Sequence, residues 1–140
     1  MRIQRFAVIF LLSLALAAMS ACGSKGKSKD LDDTVILYGQ LIRWNEFEEA
    51  LKYRDPEYAK EHPVSDSYRK FLKNITVTGY TEKQKGIEPD GVSAFQVVEV
   101  RYYNVQTARE RVITNRQSWR YHEESNRWLL YGDLPDFAAK

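Results

Sequence analysis

The second half of the chain has a β-type pattern that restricts which folds are available to it. Runs of β-branched and aromatic residues alternate with polar ones, as is typical of strands. Four such segments are predicted, at residues 75–81, 92–105, 110–122 and 127–132. Because the connections between them are short, we expect each strand to pair with its sequence neighbour in an antiparallel meander.

The residues before these strands have helical spacing. Apolar side chains recur at helical intervals and predict an amphipathic helix over residues 32–44. Asp55 followed by Pro56 predicts another helix, with Asp as the cap and Pro at the first helical position. Ser65 or Asp66 can cap a last short helix. Helices followed by an antiparallel sheet predict an α+β fold.

The length of the predicted strand at 92–105 suggests that the sheet is curved. At about 3.3 Å per residue this strand would span more than about 40 Å, which is beyond the reach of a small flat sheet with one core. We therefore expect a bend, with a β-bulge at Tyr102, Tyr103 or Asn104. The helices should then pack into the concave face.

Alternation also predicts which side chains point inward. On the long strand the better core face carries Gln96 and Tyr102 among apolar residues, and it has no carboxylate. On the next strand Trp119 and Tyr121 mark the inner face. The members of the two inner faces are Ala94, Gln96, Val98, Val100 and Tyr102, and Ile113, Asn115, Gln117, Trp119 and Tyr121. An interior of this kind contains no evident general base.

The N-terminus has the form of a secretion signal. Arg2 and Arg5 are followed by an uncharged apolar run over residues 6–19. That run is long enough for the apolar region of a signal peptide and short for a membrane span. Residues 1–21 are therefore predicted to be a signal peptide.

The sole cysteine of the chain, Cys22, follows this run directly. With small Ser20 and Ala21 before it, the stretch resembles the bacterial lipobox, although Met19 stands where Leu is usual. The resemblance implies cleavage between Ala21 and Cys22 and attachment of lipid to Cys22. Gly23 after the cysteine is associated, in such proteins of Gram-negative bacteria, with export to the outer membrane. The alternatives are an ordinary cleaved signal peptide with a leftover thiol, and an uncleaved anchor.

Residues 22–30 contain Gly, Ser and three lysines, and they predict a flexible linker. Residues 31–140 then form a single domain. Removing Arg2 and Arg5 with the signal leaves 19 basic and 19 acidic residues. A neutral mature chain is not expected to bind nucleic acid, which requires a basic surface.

The order of elements resembles that of small bacterial lipoproteins with a nuclear transport factor 2-like (SnoaL-like cone) domain. The resemblance covers about residues 30–137. It is carried by Tyr38, Trp44 and Phe47 in the helices and by strand segments 97–103, 116–121 and 127–130. It implies a cone-shaped cavity between the long helix and the sheet, and frequently a homodimer through the outer sheet face.

Six residues could line a small pocket in such a cone, although the alternative is that they simply fill the core. They are Tyr38, Trp44, Tyr53, Gln96, Tyr102 and Trp119. No metal site is predicted, since His62 and His122 each lack a second His or Cys at ligand spacing. No cofactor motif is present either.

These observations predict a lipid-anchored envelope protein, facing the periplasm from the outer membrane, whose domain binds an envelope protein or a small apolar ligand without catalysis. The alternative is a small cone-fold isomerase, dehydratase or hydrolase. A buried Asp66 or Asp133 facing an open cavity would favour that enzyme. A third hypothesis is a structural component of an envelope assembly.

Overall fold

A computed structural model describes residues 25–139 of the protein. The described part of helix α1 covers residues 25–43, and three short helices follow: α2 (Phe47–Leu51), α3 (Pro56–Glu61) and α4 (Asp66–Leu72). The strands are β1 (Ile75–Ile87), β2 (Ser93–Asn104), β3 (Arg109–His122) and β4 (Arg127–Leu130). Within the described residues, no helix has the length and apolar character needed to cross a membrane.

Local side-chain caps define where two of the short helices begin. The Asp55 carboxylate accepts hydrogen bonds from the backbone N–H groups of Glu57 and Tyr58, at 2.9 and 3.0 Å. The Ser65 hydroxyl caps α4 in the same way. Both helix starts were predicted from these residues and are confirmed, because a cap depends only on its nearest neighbours in the chain.

Helix α1 packs one face against the sheet. Leu31, Val35, Tyr38 and Ile42 are buried on this face. Their spacing of three or four residues keeps them on one side of the helix. This stripe joins the inner face of the sheet to form the hydrophobic core.

The first turns of α1 are fixed to the hairpin of β3 and β4. The Trp128 indole N–H donates to the backbone carbonyl oxygen of Lys27 at 2.9 Å. The Lys27 ammonium lies 2.6 Å from a carboxylate oxygen of Glu123 and 4.6 Å from the ring centre of Tyr121. Residues 25–30, which we predicted to belong to a flexible linker, are thus helical in the structure.

The strands form one antiparallel sheet in the order β1-β2-β3-β4. Every residue of β2 from Ser93 to Asn104 pairs with one residue of β3, without a shift of register. Shifts occur instead between β1 and β2, at Val77/Gly79 and Glu82/Gln84. The predicted bulge at Tyr102, Tyr103 or Asn104 is therefore wrong.

The prediction of a nuclear transport factor 2-like cone, with helices held in a strongly curved sheet, is also wrong. Since no extra residue interrupts the β2–β3 ladder, nothing there bends these two strands sharply. The sheet is not strongly curved. The fold is a four-stranded antiparallel meander accompanied by α1 and three short helices.

The predicted inner faces of β2 and β3 are confirmed. Burial alternates along β2, where Gln96 and Tyr102 are buried with their apolar neighbours. On β3, Gln117 and Trp119 are buried, while the residues between them face solvent.

The segment after β4 folds back over this core. Phe137 is buried, and its ring packs against Phe47 and Tyr102, with ring centres 5.3 and 5.0 Å apart. The Tyr102 hydroxyl donates to the Phe137 carbonyl oxygen at 3.0 Å. The C-terminal segment thus becomes one wall of a cleft in the described part of the chain.

Candidate binding cleft

A buried arginine joins the segments that form this cleft. The Arg54 side chain is only 3% exposed. Its Nε donates to the Gly132 carbonyl oxygen at 3.1 Å, and its Nη2 donates to the His62 carbonyl oxygen at 2.8 Å and to Asp133 Oδ1 at 2.6 Å. One guanidinium therefore ties the end of α3 to the segment that follows β4.

The cleft, which we call the α3–α4 cleft, lies between the loop joining those helices and the C-terminal segment. Its volume is about 540 Å³, within the range of small-molecule sites. Its walls are mostly apolar, with a few polar groups. The lining residues are Leu51, His62, Pro63, Val64, Ser65, Tyr68, Asp133, Leu134 and Asp136.

The polar part of the cleft combines neutral polar groups with two carboxylates. Asp133 and Asp136 supply the carboxylates, and no lysine or arginine lines the cleft. The Asp133 side chain is 61% exposed although it pairs with Arg54, and its Oδ2 also accepts from the Tyr58 hydroxyl at 3.1 Å. The lining therefore favours a ligand that donates hydrogen bonds or carries positive charge.

Tyr68, on α4, provides a phenol to the cleft. Burial, assisted by the nearby charge of Asp136, raises the pKa of Tyr68 to about 12. Its hydroxyl lies 3.5 Å from the Pro135 carbonyl oxygen. The phenol therefore stays protonated at neutral pH and presents a neutral, polar group beside an apolar ring.

The buried carboxylate of Asp55 is used for structure. Besides capping α3, its Oδ2 lies 2.6 Å from His122 Nε2. Burial alone would raise the pKa of Asp55, but hydrogen bonds from the backbone N–H groups of Tyr58 and Glu57, together with His122, outweigh burial and lower it. Asp55 is thus held ionised between a helix start and an imidazole, and it is not one of the residues lining the α3–α4 cleft.

A smaller cavity of about 290 Å³ lies between α1 and the sheet. Among its lining residues the Gln96 amide donates to Glu82 at 2.6 Å, and the Tyr80 hydroxyl accepts at 2.9 Å from the amide of Gln117, which does not itself line the cavity. The Tyr80 hydroxyl lies 3.4 Å from Gln96 Oε1. Burial raises the pKa of Tyr80 to about 12, so this phenol also stays neutral.

The structure does not gather the six predicted pocket residues into one pocket. Tyr38 and Trp119 are buried and pack edge to face, with ring centres 5.2 Å apart. Tyr53 packs against Tyr38 with a ring-centre distance of 5.8 Å. Trp44 points away from the core and is 68% exposed.

The remaining two predicted residues line different cavities. Gln96 lines the cavity beneath α1, and Tyr102 lines another beside the C-terminal segment. The predicted lipidation and cleavage residues, Ala21 and Cys22, lie outside the described residues. Within residues 25–139 no group of three or more His, Cys, Asp or Glu side chains is placed to hold a metal ion.

The sequence alone does not predict the α3–α4 cleft. His62 and Asp133 were noticed separately, but nothing in the sequence pairs the loop at 62–65 with the segment at 133–136. That juxtaposition depends on the burial of Arg54. Burial is not expected for a charged residue between two helical segments. The apolar residues of the loop at 62–65 and of the segment at 133–136 were the only indication in the sequence that these two parts of the chain could pack together.

No family model matches the chain, and no curated protein matches its sequence. One solved structure with a similar fold is the solution structure of a SEC-C motif containing protein from Rhodopseudomonas palustris. It is 13% identical, with a TM-score of 0.51, and the match covers 71% of this chain and 70% of that one. The chain is therefore similar in fold alone to a SEC-C motif containing protein, which corrects the nuclear transport factor 2-like cone that we expected from the sequence.

Proposed function

We propose that this protein is a lipid-anchored component of the bacterial envelope whose folded domain binds a ligand without catalysing a reaction. The α3–α4 cleft carries the binding part of the proposal. Its apolar walls suit the apolar portion of a ligand, and Asp133 and Asp136 suit a cationic group on that ligand. The ligand class is accordingly an amine with an apolar portion, either free or as a side chain of an envelope protein.

The anchor part of the proposal rests on the sequence around Cys22. Lipid attachment is supported by the basic start, the short apolar run and the small residues before the cysteine. Gly23 supports localisation at the outer membrane. Stable anchoring requires more than one acyl chain, which a diacylglyceryl group provides. Labelled palmitate should enter the wild-type protein in cells and not the Cys22→Ala variant, which should leave the membrane fraction.

Three probes of similar shape test the cleft. We expect benzylammonium to bind measurably by calorimetry, benzyl alcohol to bind more weakly, and phenylacetate not to bind. Changing Asp136→Asn should weaken the binding of benzylammonium about tenfold, as expected for the loss of one partly exposed charge contact. Asp30→Asn is the matched control, because Asp30 is exposed on α1 and does not line the cleft.

Equal binding of all three probes, or equal effects of the two variants, would contradict the proposal. The enzyme alternative would be favoured by a buried Asp66 or Asp133 at an open cavity. Asp66 is exposed, and Asp133 is mostly exposed and ion-paired. We therefore propose binding rather than catalysis.

A further inference from the structure

Helix α1 presents apolar side chains to solvent near its C-terminal end. Ile36 is 55% exposed, Leu37 52% and Trp44 68%. The Trp44 backbone N–H donates to the Gln40 carbonyl oxygen at 2.9 Å, which extends the helical pattern to Trp44. Residues three or four apart share one side of a helix, so these three and Gln40 form a continuous surface, the outer patch of α1.

Basic groups accompany the outer patch. The Arg43 guanidinium lies 5.1 Å from the ring centre of Trp44 and donates to the Val77 carbonyl oxygen at 2.8 Å. Lys25 and Lys29 are exposed on the same helix nearer its N-terminal end, where Lys29 pairs at 2.6 Å with Asp33, an exposed residue on the same side of the helix as Ile36 and Leu37. Indole rings favour the interface between lipid and water, and basic side chains favour anionic head groups. The chemistry of this face suits a lipid surface.

Chain length places this face near any lipid attached at Cys22. Lys25 follows Cys22 by three residues, so their Cα atoms are at most about 11 Å apart. Helix α1, over residues 25–43, is about 28 Å long. Because Lys27 is fixed to Trp128 and Glu123, the domain has no described flexible segment that would let it swing away from the start of α1.

We propose that α1 lies along the bilayer surface, with its outer patch in the interfacial region of the lipid. This inference rests on the lipid anchoring proposed above. A helix standing upright on the membrane would leave Ile36, Leu37 and Trp44 in water, whereas a helix lying flat buries all three. The lipid then fixes the orientation of the whole domain, besides retaining it at the membrane.

Tryptophan fluorescence of the full lipidated protein, reconstituted in vesicles of phosphatidylethanolamine and phosphatidylglycerol, tests this orientation. The chain has three tryptophans, and Trp119 and Trp128 are buried. Quenching by aqueous acrylamide therefore reports mainly on Trp44. We expect acrylamide quenching to fall severalfold on reconstitution, and brominated acyl chains to quench the fluorescence. The Trp44→Phe variant should lose both effects.

A pair of matched variants separates the outer patch from general effects of charge. Leu37→Glu should restore acrylamide quenching while the protein still floats with the vesicles. Val112→Glu should change nothing, because Val112 has the same 52% exposure but lies on β3 rather than on α1. Equal behaviour of these two variants would overturn the proposal.

Other outcomes also overturn the proposal, and they are distinguishable. If the protein floats but Trp44 remains accessible to acrylamide, the orientation is wrong and the anchoring stands. If Trp44 is shielded from acrylamide but not quenched by bromine, a second copy or another protein covers the patch. If the protein does not float and its N-terminal peptide lacks the mass of a lipid, the anchoring fails and the orientation fails with it.

Discussion

Trp128 and Lys27 join the last strand of the sheet to helix α1: the indole N–H of Trp128, on β4, donates to the backbone carbonyl oxygen of Lys27, in α1, at 2.9 Å. The indole is almost completely buried. This contact explains why residues 25–30 are helical although their composition is typical of a linker. Tertiary packing here outweighs weak helix propensity.

Changing Trp128→Phe should destabilise the domain by about 1–3 kcal/mol, since it removes a buried hydrogen bond and leaves a small cavity. It should also speed amide hydrogen exchange at residues 25–30. The matched change Trp44→Phe, at an exposed site, should alter the free energy of unfolding by less than about 0.5 kcal/mol. Equal effects of the two changes in chemical denaturation would show that the contact with Lys27 contributes nothing.

Arg54 should matter more to stability than its partner Asp133. Arg54→Met removes three hydrogen bonds from a buried guanidinium and should cost about 2–3 kcal/mol. Asp133→Asn should cost less, because the Asn oxygen can still accept and the two carbonyl bonds remain. Denaturation of both variants gives the comparison. A larger loss for Asp133→Asn would contradict the structural role given to Arg54.

Asp55 should make stability depend on acid pH. Since its pKa is lowered in the folded protein from the ordinary 3.8, its contribution is fully present above that value. The contribution is lost as the pH falls through the lower folded-state pKa. Asp55→Asn keeps a capping side chain and removes the charge, so it should flatten the acid side of the profile of unfolding free energy against pH. An unchanged slope would contradict the pKa direction.

Two glycines of α1 should respond oppositely to substitution by alanine. A Cβ at Gly39 would lie 2.7 Å from Tyr80 Cε1, so Gly39→Ala should cost about 1–3 kcal/mol by overpacking. A Cβ at Gly26 would meet nothing within 4 Å, so Gly26→Ala should stabilise the helix by about 0.5 kcal/mol. Thermal unfolding should therefore shift in opposite directions. Shifts of the same sign would contradict the packing of α1 on Tyr80.

Some features of the fold are visible in the sequence because they depend on near neighbours. Asp55 and Ser65 cap the helices that follow them, and alternation along β2 and β3 identifies the buried faces, including Gln96 and Trp119. Each signal is local: a cap acts within one helical turn, and alternation reports burial directly.

Other features depend on contacts between distant segments, and those were predicted wrongly, left open or missed. Curvature follows from strand register, and the full pairing of β2 with β3 leaves no bulge at Tyr102. Tyr38 and Trp119 fill the core, which is one of the two alternatives that the sequence left open for them. The α3–α4 cleft exists because Arg54 is buried between chain segments far apart in sequence.

Amide NMR spectra of the mature protein, titrated with benzylammonium, test directly whether the α3–α4 cleft is a ligand site. We expect saturable shifts concentrated at Val64, Ser65 and Leu134, which line the cleft. They should be absent with phenylacetate. No saturable shift, or shifts concentrated at residues that do not line the cleft, would contradict it.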